Sequence, residues 1–218
     1  MLGELFIRVK DILMTEGALT LLRRIFEYVK PLFFEYGNYY LYEHKIEERD
    51  EADFLPEIKE FILRIIHTNE EADGLAKTMG VDFRRRFIRS GSSLYRGAVA
   101  FCIFVNGEIA HISWVALSQD AKNTFDSLPY RVDFLNKEVC TGGTVTVPKY
   151  RGKGLMTYGY FKRLQYLEEK GIKVSRNAVD KNNAASNMAQ AKFTPRIYAE
   201  ARYLKLLFWK YWRQELVG

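Results

Sequence analysis

The stretch "VTVPKYRGKGLM", Val145 to Met156, most limits what this chain of 218 residues can fold into. Alternating Val and Thr favour a pleated backbone, and Pro148 then removes a ladder donor, so a strand ends near it. Gly152 and Gly154 follow, residues that reach backbone angles others avoid. From Leu155 the period changes, with Met156, Tyr160, Leu164 and Leu167 recurring every three or four residues up to Gly171, a fitting helix stop. The unit is strand, glycine-rich loop, helix. It leaves the first-turn N–H groups of the helix open to the loop, with the positive end of the helix dipole behind them, which makes a site for an anion. Arg151 and Lys153 add charge there, and a phosphate or pyrophosphate is the natural guest.

Spacing separates the known phosphate loops. A nucleoside-triphosphate loop needs Gly five residues before its Gly-Lys pair and Ser or Thr after it, where Val147 and Gly154 stand. A dinucleotide fingerprint needs a third Gly where Thr157 stands. The segment instead resembles the pyrophosphate loop of the GNAT family of acyl-CoA N-acyltransferases: Pro148, Tyr150, Arg151 and Gly154 fall in place, with Met156 replacing the last small residue. A second element, "KVSRNAVDKNNAASNMAQAK", has a strand-like start at Lys173 and a helix opening near Asn182 or Asn183. Asn183 and Ser186 match the spacing of the family's Asn and its helix beside the CoA arm, and Lys192 matches a lysine that ends this helix.

The resemblance covers residues 59 to 207 and implies a mixed α/β (α+β) GNAT-like fold: a central, mostly antiparallel sheet with one splayed parallel pair, flanked by helices. It implies acetyl-CoA as cosubstrate, held by Val145, Thr146, Val147, Arg151, Gly152, Lys153, Gly154, Leu155, Met156, Asn183 and Ser186. It also implies direct attack of an amine on the thioester, whose carbonyl is held by a backbone N–H near Val145. As base it points to Glu138, thirteen residues before Arg151, with His111 second because of its ordinary pKa. Counting seven from Asn183 to the family's acidic Tyr reaches Gln190, so Tyr198 or water would protonate the thiolate. The function implied is N-acetylation of a small amine such as an amino sugar or amino-acid derivative. The alternative is a CoA-binding or membrane-surface interaction protein with weak or lost catalysis.

The rest of the chain is read to fit. Residues 2 to 35 carry two amphipathic helical stripes, "NYYLYEHKI" has strand composition, and the acidic run Glu47 to Asp53 reads as a linker. Residues 1 to 55 are therefore expected as an N-terminal extension and 56 to 218 as the catalytic domain. "EFILRIIHT" should be its first strand, Asn69 to Arg89 a helical connection, and Asn106-Gly107 the turn of a hairpin. The C-terminal "YLKLLFWKYWRQEL" is expected as a closing strand and a short helix with its aromatics in the core, the alternative being an interfacial anchor.

Composition excludes several classes. Cys102 and Cys140 sit in apolar runs as reduced core thiols, and His44, His111 and His67 are scattered, so no metal is expected. No apolar run approaches the roughly 18 residues that cross a bilayer, and the charged N-terminus does not read as a signal peptide, so a cytoplasmic location is expected. The net charge of +6 suits a polyanion such as CoA, while dispersed cations without a recognition motif argue against nucleic acid. Peripheral membrane contact and a homodimer are both compatible with the apolar termini.

Overall fold

The computed structural model describes residues 33–80, 82–84, 94 and 96–217. Among them the elements run β1 Phe34–Lys45, β2 Ile62–Ile66, α1 Asn69–Met79, β3 Ala98–Val105, β4 Glu108–Ala116, α2 Gln119–Phe125, β5 Glu138–Thr146, α3 Leu155–Glu169, β6 Val174–Asp180, α4 Ala184–Ala191, β7 Arg196–Leu206 and β8 Trp209–Leu216. They form one open sheet of eight strands in the order β2-β3-β4-β5-β6-β1-β7-β8. Strands β2 to β5 pair antiparallel with their neighbours, β6 pairs antiparallel with β1, and β5 and β6 are parallel. The described residues divide into two compact units, one within 39–200 with 215–217, the other 33–38 with Ala201–Gln214. The site described below lies wholly in the first.

Local chemistry accounts for the elements. Every residue of β3 is buried, as a strand covered on both faces requires, and its hairpin to β4 turns on Asn106 (φ 51°) and Gly107 (φ 76°), two positive-φ residues in a two-residue turn. A capping box between Thr68 and Glu71 starts α1, and Gly80, in the left-handed region, ends it. Helix α3 lies on β3, β4 and β5: Leu155, Tyr158, Phe161 and Leu164 pack with Ile103 and Val105, while Tyr166 and Leu167 pack with Phe101, Val115 and Val139. On the opposite face Trp114 is covered by Phe83 and Phe125.

Three regions differ from the sequence reading. Strand β1, expected in an N-terminal extension, is interior to the sheet and pairs Tyr39 to Lys45 with β6. The acidic run is not a loose connection: Glu51 accepts from Tyr158 Oη (2.7 Å) and Lys162 Nζ (2.8 Å) of α3, and Phe54 stacks on Phe161 and Phe193. The C-terminal segment is a hairpin of two strands, β7 and β8, rather than a strand and a helix. Its exposed Phe208 and Trp209 do not fill the core. Of the two expected N-terminal helices, residues 2 to 32 lie outside the described residues.

One irregularity positions the site. Between β4 and β5 the register passes from Ile112↔Val145 to Trp114↔Gly142, which inserts one extra residue in β5. Gly143 adopts φ +57° there, and a Cβ on it would lie 2.6 Å from Trp114 Cδ1 and 3.0 Å from Phe125 Cβ. Both the dihedral and the space require glycine. Gly143→Ala should therefore lower unfolding free energy by roughly 2–4 kcal/mol, from left-handed strain plus overpacking. Urea denaturation checks this, and an unchanged midpoint would show that the bulge is not held by Trp114 and Phe125.

Candidate functional site between two parting strands

Strands β5 and β6 pair over only three positions, the last being Cys140↔Arg176. At the end of this ladder Oγ1 of Thr141, the first residue of β5 past it, lies 2.9 Å from Ser175 Oγ and closes the apex of the gap. From there β5 pairs only with β4, as far as His111↔Thr146, and β6 only with β1, as far as Tyr39↔Asp180. Among the described residues the two facing edges have no strand between them. Each therefore presents backbone groups that need a partner.

The loop after β5 lies at the mouth of this gap. Pro148–Tyr150 form a single 3₁₀ turn, and Gly152 (φ +73°) and Gly154 (φ +79°) turn the chain into α3. Gly154 caps α3 without a side-chain bond, and among the described residues no N–H from Gly152 to Thr157 donates to a backbone carbonyl outside the helix. These N–H groups and the dipole of a helix of 15 residues make an anion site built from backbone. A Cβ on Gly152 would meet nothing within 4 Å, so a ligand can approach the chain there. Gly154 serves packing instead, since a Cβ on it would lie 3.2 Å from Pro56 Cα. The side-chain cations are partly engaged: Arg151 Nε donates to Thr146 O (3.2 Å), and Lys153 Nζ is 3.7 Å from Glu57 Oε2. On the other side of the gap, Asn183 Oδ1 accepts from Ser186 N (3.1 Å) and starts α4.

No protein-family model matches the sequence, and no curated protein does either. Solved structures do match in shape. A GCN5-related N-acetyltransferase-like protein from Streptococcus suis superimposes with a TM-score of 0.50 at 13% identity over 88% of this chain and 67% of that one. A GCN5-related glucosamine N-acetyltransferase region of a fungal multi-domain GH3 β-N-acetylglucosaminidase gives 0.50 at 11% identity, over 84% of this chain and 22% of that one. A GCN5-related N-acetyltransferase from Kribbella flavida gives 0.47 at 14%, over 87% and 63%. The chain spans about two thirds or less of these neighbours.

The chain has the GNAT fold.

Within the GNAT fold, the sequence-predicted residues divide between the two faces of the sheet. Val145, Thr146 and Val147 run from the end of β5 into the loop, with Val147 N bonded to Ala110 O (2.9 Å), while Leu155 and Met156 open α3. Glu138 and Tyr198 meet at a residue that the sequence reading does not single out, Arg176. Its guanidinium makes a two-point pair with the Glu138 carboxylate, at 2.8 Å and 2.8 Å, and lies 4.6 Å from the centroid of the Tyr198 ring. Glu43 also pairs with Arg176, at 3.0 Å, and Glu138 accepts from Asp133 N as well. Burial raises the Tyr198 phenol pKa, partly offset by Arg176, and its hydroxyl lies beside that guanidinium without a well-formed bond. Arg176 was legible in principle, as a cation on alternating "KVSRNAVD", but its partners are distant in sequence.

His111, the second candidate base, lies in the core. It is fully buried beneath α3: Nδ1 lies 2.8 Å from Thr146 Oγ1, and a Cβ on Gly159 would lie 2.7 Å from its Nε2. Burial first, and then the nearby Arg163 charge, push its pKa down to about 3, which favours the neutral ring. Around it lies a polar layer unforeseen in the sequence. Arg163 is wholly buried, donates to Gly159 O and Trp114 O, and lies over the Tyr160 ring at 4.4 Å; burial pushes its pKa down to about 10. Gln190, at the family's tyrosine position, has Oε1 2.6 Å from His44 Nε2. The Tyr160 hydroxyl is buried beside Thr141 and Gln190 without a well-formed bond to either. A charged residue inside the apolar stripe of α3, Arg163, was the available signal.

The two buried histidines give the fold a pH dependence. Burial lowers the pKa of His44 to about 4 and of His111 to about 3, whereas an unfolded chain protonates each near 6.5. Between these values the unfolded state binds more protons, so stability should be level above about pH 7 and fall as pH drops from 6.5 towards 4, by about 1 kcal/mol per pH unit for each ring. Urea midpoints measured from pH 8 to 4.5 check this. The slope should shrink in His44→Gln, and a flat profile in the wild type would contradict the burial of both rings.

Proposed function

We propose that the protein is an acetyl-CoA-dependent N-acetyltransferase that acetylates a primary amine of a small molecule and works in the cytoplasm, where its cosubstrate is found. The observation that carries this reading is the conjunction of the β5/β6 gap with the backbone anion site at its mouth. A CoA chain is long, has amide groups along its arm and a pyrophosphate at one end. The facing strand edges suit the amides, and the Gly152–Thr157 N–H groups suit the pyrophosphate. The two fold neighbours that superimpose at 0.50, both GCN5-related by name, support the same reading.

Acetyl-CoA supplies the activated acyl group, a thioester. Strand β5 beside the bulge would donate a backbone N–H to the thioester oxygen, where negative charge develops as the amine attacks. The amine must first lose a proton, and Glu138, two residues before the strands part, is the carboxylate proposed to take it, directly or through water. Arg176 would hold that carboxylate in place until the amine competes for it. When the carbon–sulfur bond breaks, the thiolate needs a proton. Tyr198, near Glu138, and Tyr160, near Thr141 at the apex, are the two hydroxyls proposed to provide it.

A second reading, CoA binding without efficient transfer, is favoured by one specific observation: Gln190 stands where a tyrosine is expected and is engaged by His44. Calorimetry with CoA and thiol release from acetyl-CoA across amino sugars, amino-acid derivatives and polyamines distinguish the two. The wild type should bind CoA and release thiol with at least one amine. Arg151→Ala should weaken CoA several-fold, because the backbone provides most of the contact. Glu138→Gln should keep CoA affinity and lower kcat by roughly 10²- to 10⁴-fold, partly recovered at high pH. Binding without thiol release from any amine selects the second reading, and no CoA binding overturns both.

A further inference from the structure

The two hairpins of the described chain turn in the same number of residues with opposite chemistry. The β3–β4 turn is Asn106-Gly107, the residues a tight turn prefers. The β7–β8 turn is Leu207-Phe208, with Leu207 held at φ +56°, a conformation that L side chains adopt at a cost. Four successive apolar residues at this tip face solvent: Leu206 is 52% exposed, Leu207 50%, Phe208 92% and Trp209 52%. A run of this kind, in a strained turn where Gly or Asn would fold better, indicates a use for the apolar tip outside the fold itself. Lys205 precedes the run and Lys210 follows it, with Arg202 and Arg213 further along the same strands.

We propose that the β7–β8 tip is a membrane-docking wedge that inserts Leu207, Phe208 and Trp209 among the acyl chains of an anionic bilayer, with Lys205 and Lys210 at the headgroup level. The arrangement matches the chemistry of such a surface from its depth inwards: apolar side chains at the extreme tip, an aromatic ring that prefers the interface next to them, and cations behind. Charge complementarity favours an anionic bilayer over a second copy of this chain, which at a net charge of +6 would bring like charges together. The tip also lies beyond the last ladder residues of both strands, so pairing of two β8 edges would leave Phe208 uncovered. This docking is independent of the transfer reaction. It would hold at a lipid surface a chain that has no membrane-crossing helix among its described residues.

The test uses the full chain and vesicles of phosphatidylcholine, alone or with about one third phosphatidylglycerol. The wild type should sediment with the anionic vesicles at about 0.1 M salt and release as salt rises. Lipids brominated on the acyl chain should quench its tryptophan emission, and Trp209→Phe should remove most of that quenching. Phe208→Asp should reduce partitioning by about ten-fold or more, and Lys205→Glu with Lys210→Glu by a similar factor on anionic vesicles. Phe208 and Lys210 are exposed and Lys205 half-buried, and the circular dichroism of both variants should match the wild type; if Phe208→Asp misfolds, the lysine pair decides. Absence of vesicle binding, binding unchanged in these variants, or a Phe208-dependent dimer without vesicle binding overturns the proposal.

Discussion

The parting of β5 from β6 after the Cys140↔Arg176 pair is the constraint on which the rest of the structure depends. Parallel strands tend to go on pairing, because every unpaired N–H and carbonyl needs another partner. Particular residues shape β5 just past the point where the pairing ends. Gly143 takes a left-handed angle that adds a residue to β5, with Trp114 and Phe125 filling the space a Cβ would need. Arg163 reaches up from α3 to the Trp114 carbonyl. The gap is thus bordered by built structure on both faces of the sheet, Trp114 and Phe125 on one and Arg163 under α3 on the other.

The same support explains how charge is distributed. At the mouth of the gap the side-chain cations are partly occupied, Arg151 by the Thr146 carbonyl and Lys153 by Glu57, so an incoming anion meets mainly oriented backbone N–H groups. Such groups cost no side-chain entropy when they bind. On the face opposite α3, Arg176 gathers Glu43, Glu138 and Tyr198 into one cluster. Under α3, Arg163 has no carboxylate within ion-pair distance among the described residues, and the neighbouring His44 and His111 stay neutral. Burial first, and then the Arg163 charge, make a second cation there costly, so both rings are held low.

What the sequence could reveal was what local spacing encodes. The strand, loop and helix around Gly152 and Gly154, the Asn106-Gly107 hairpin and the Asn183 cap each depend on a few neighbouring residues, and each is found where the spacing puts it. Long-range placement was not legible. Nothing in "NYYLYEHKI" says that it will lie between β6 and β7, about 130 residues away in sequence. Glu138 and Tyr198 looked unrelated until Arg176 joined them. The burial of His111 was not legible either, since it depends on the missing side chain of Gly159, which lets α3 settle directly on the ring. The β7–β8 turn carries no turn residue at all, so "YLKLLFWKYWRQEL" read as core and helix instead of a hairpin with an exposed tip.

Amide hydrogen exchange with and without saturating CoA tests the central claim most directly, since the site is made of backbone N–H groups. The account predicts slowed exchange in Gly152–Thr157 and along the facing edges, Gly142–Thr146 and Asn177–Asp180, with little change in the fully paired β3. Protection confined to other segments, or none while CoA is bound, would contradict it.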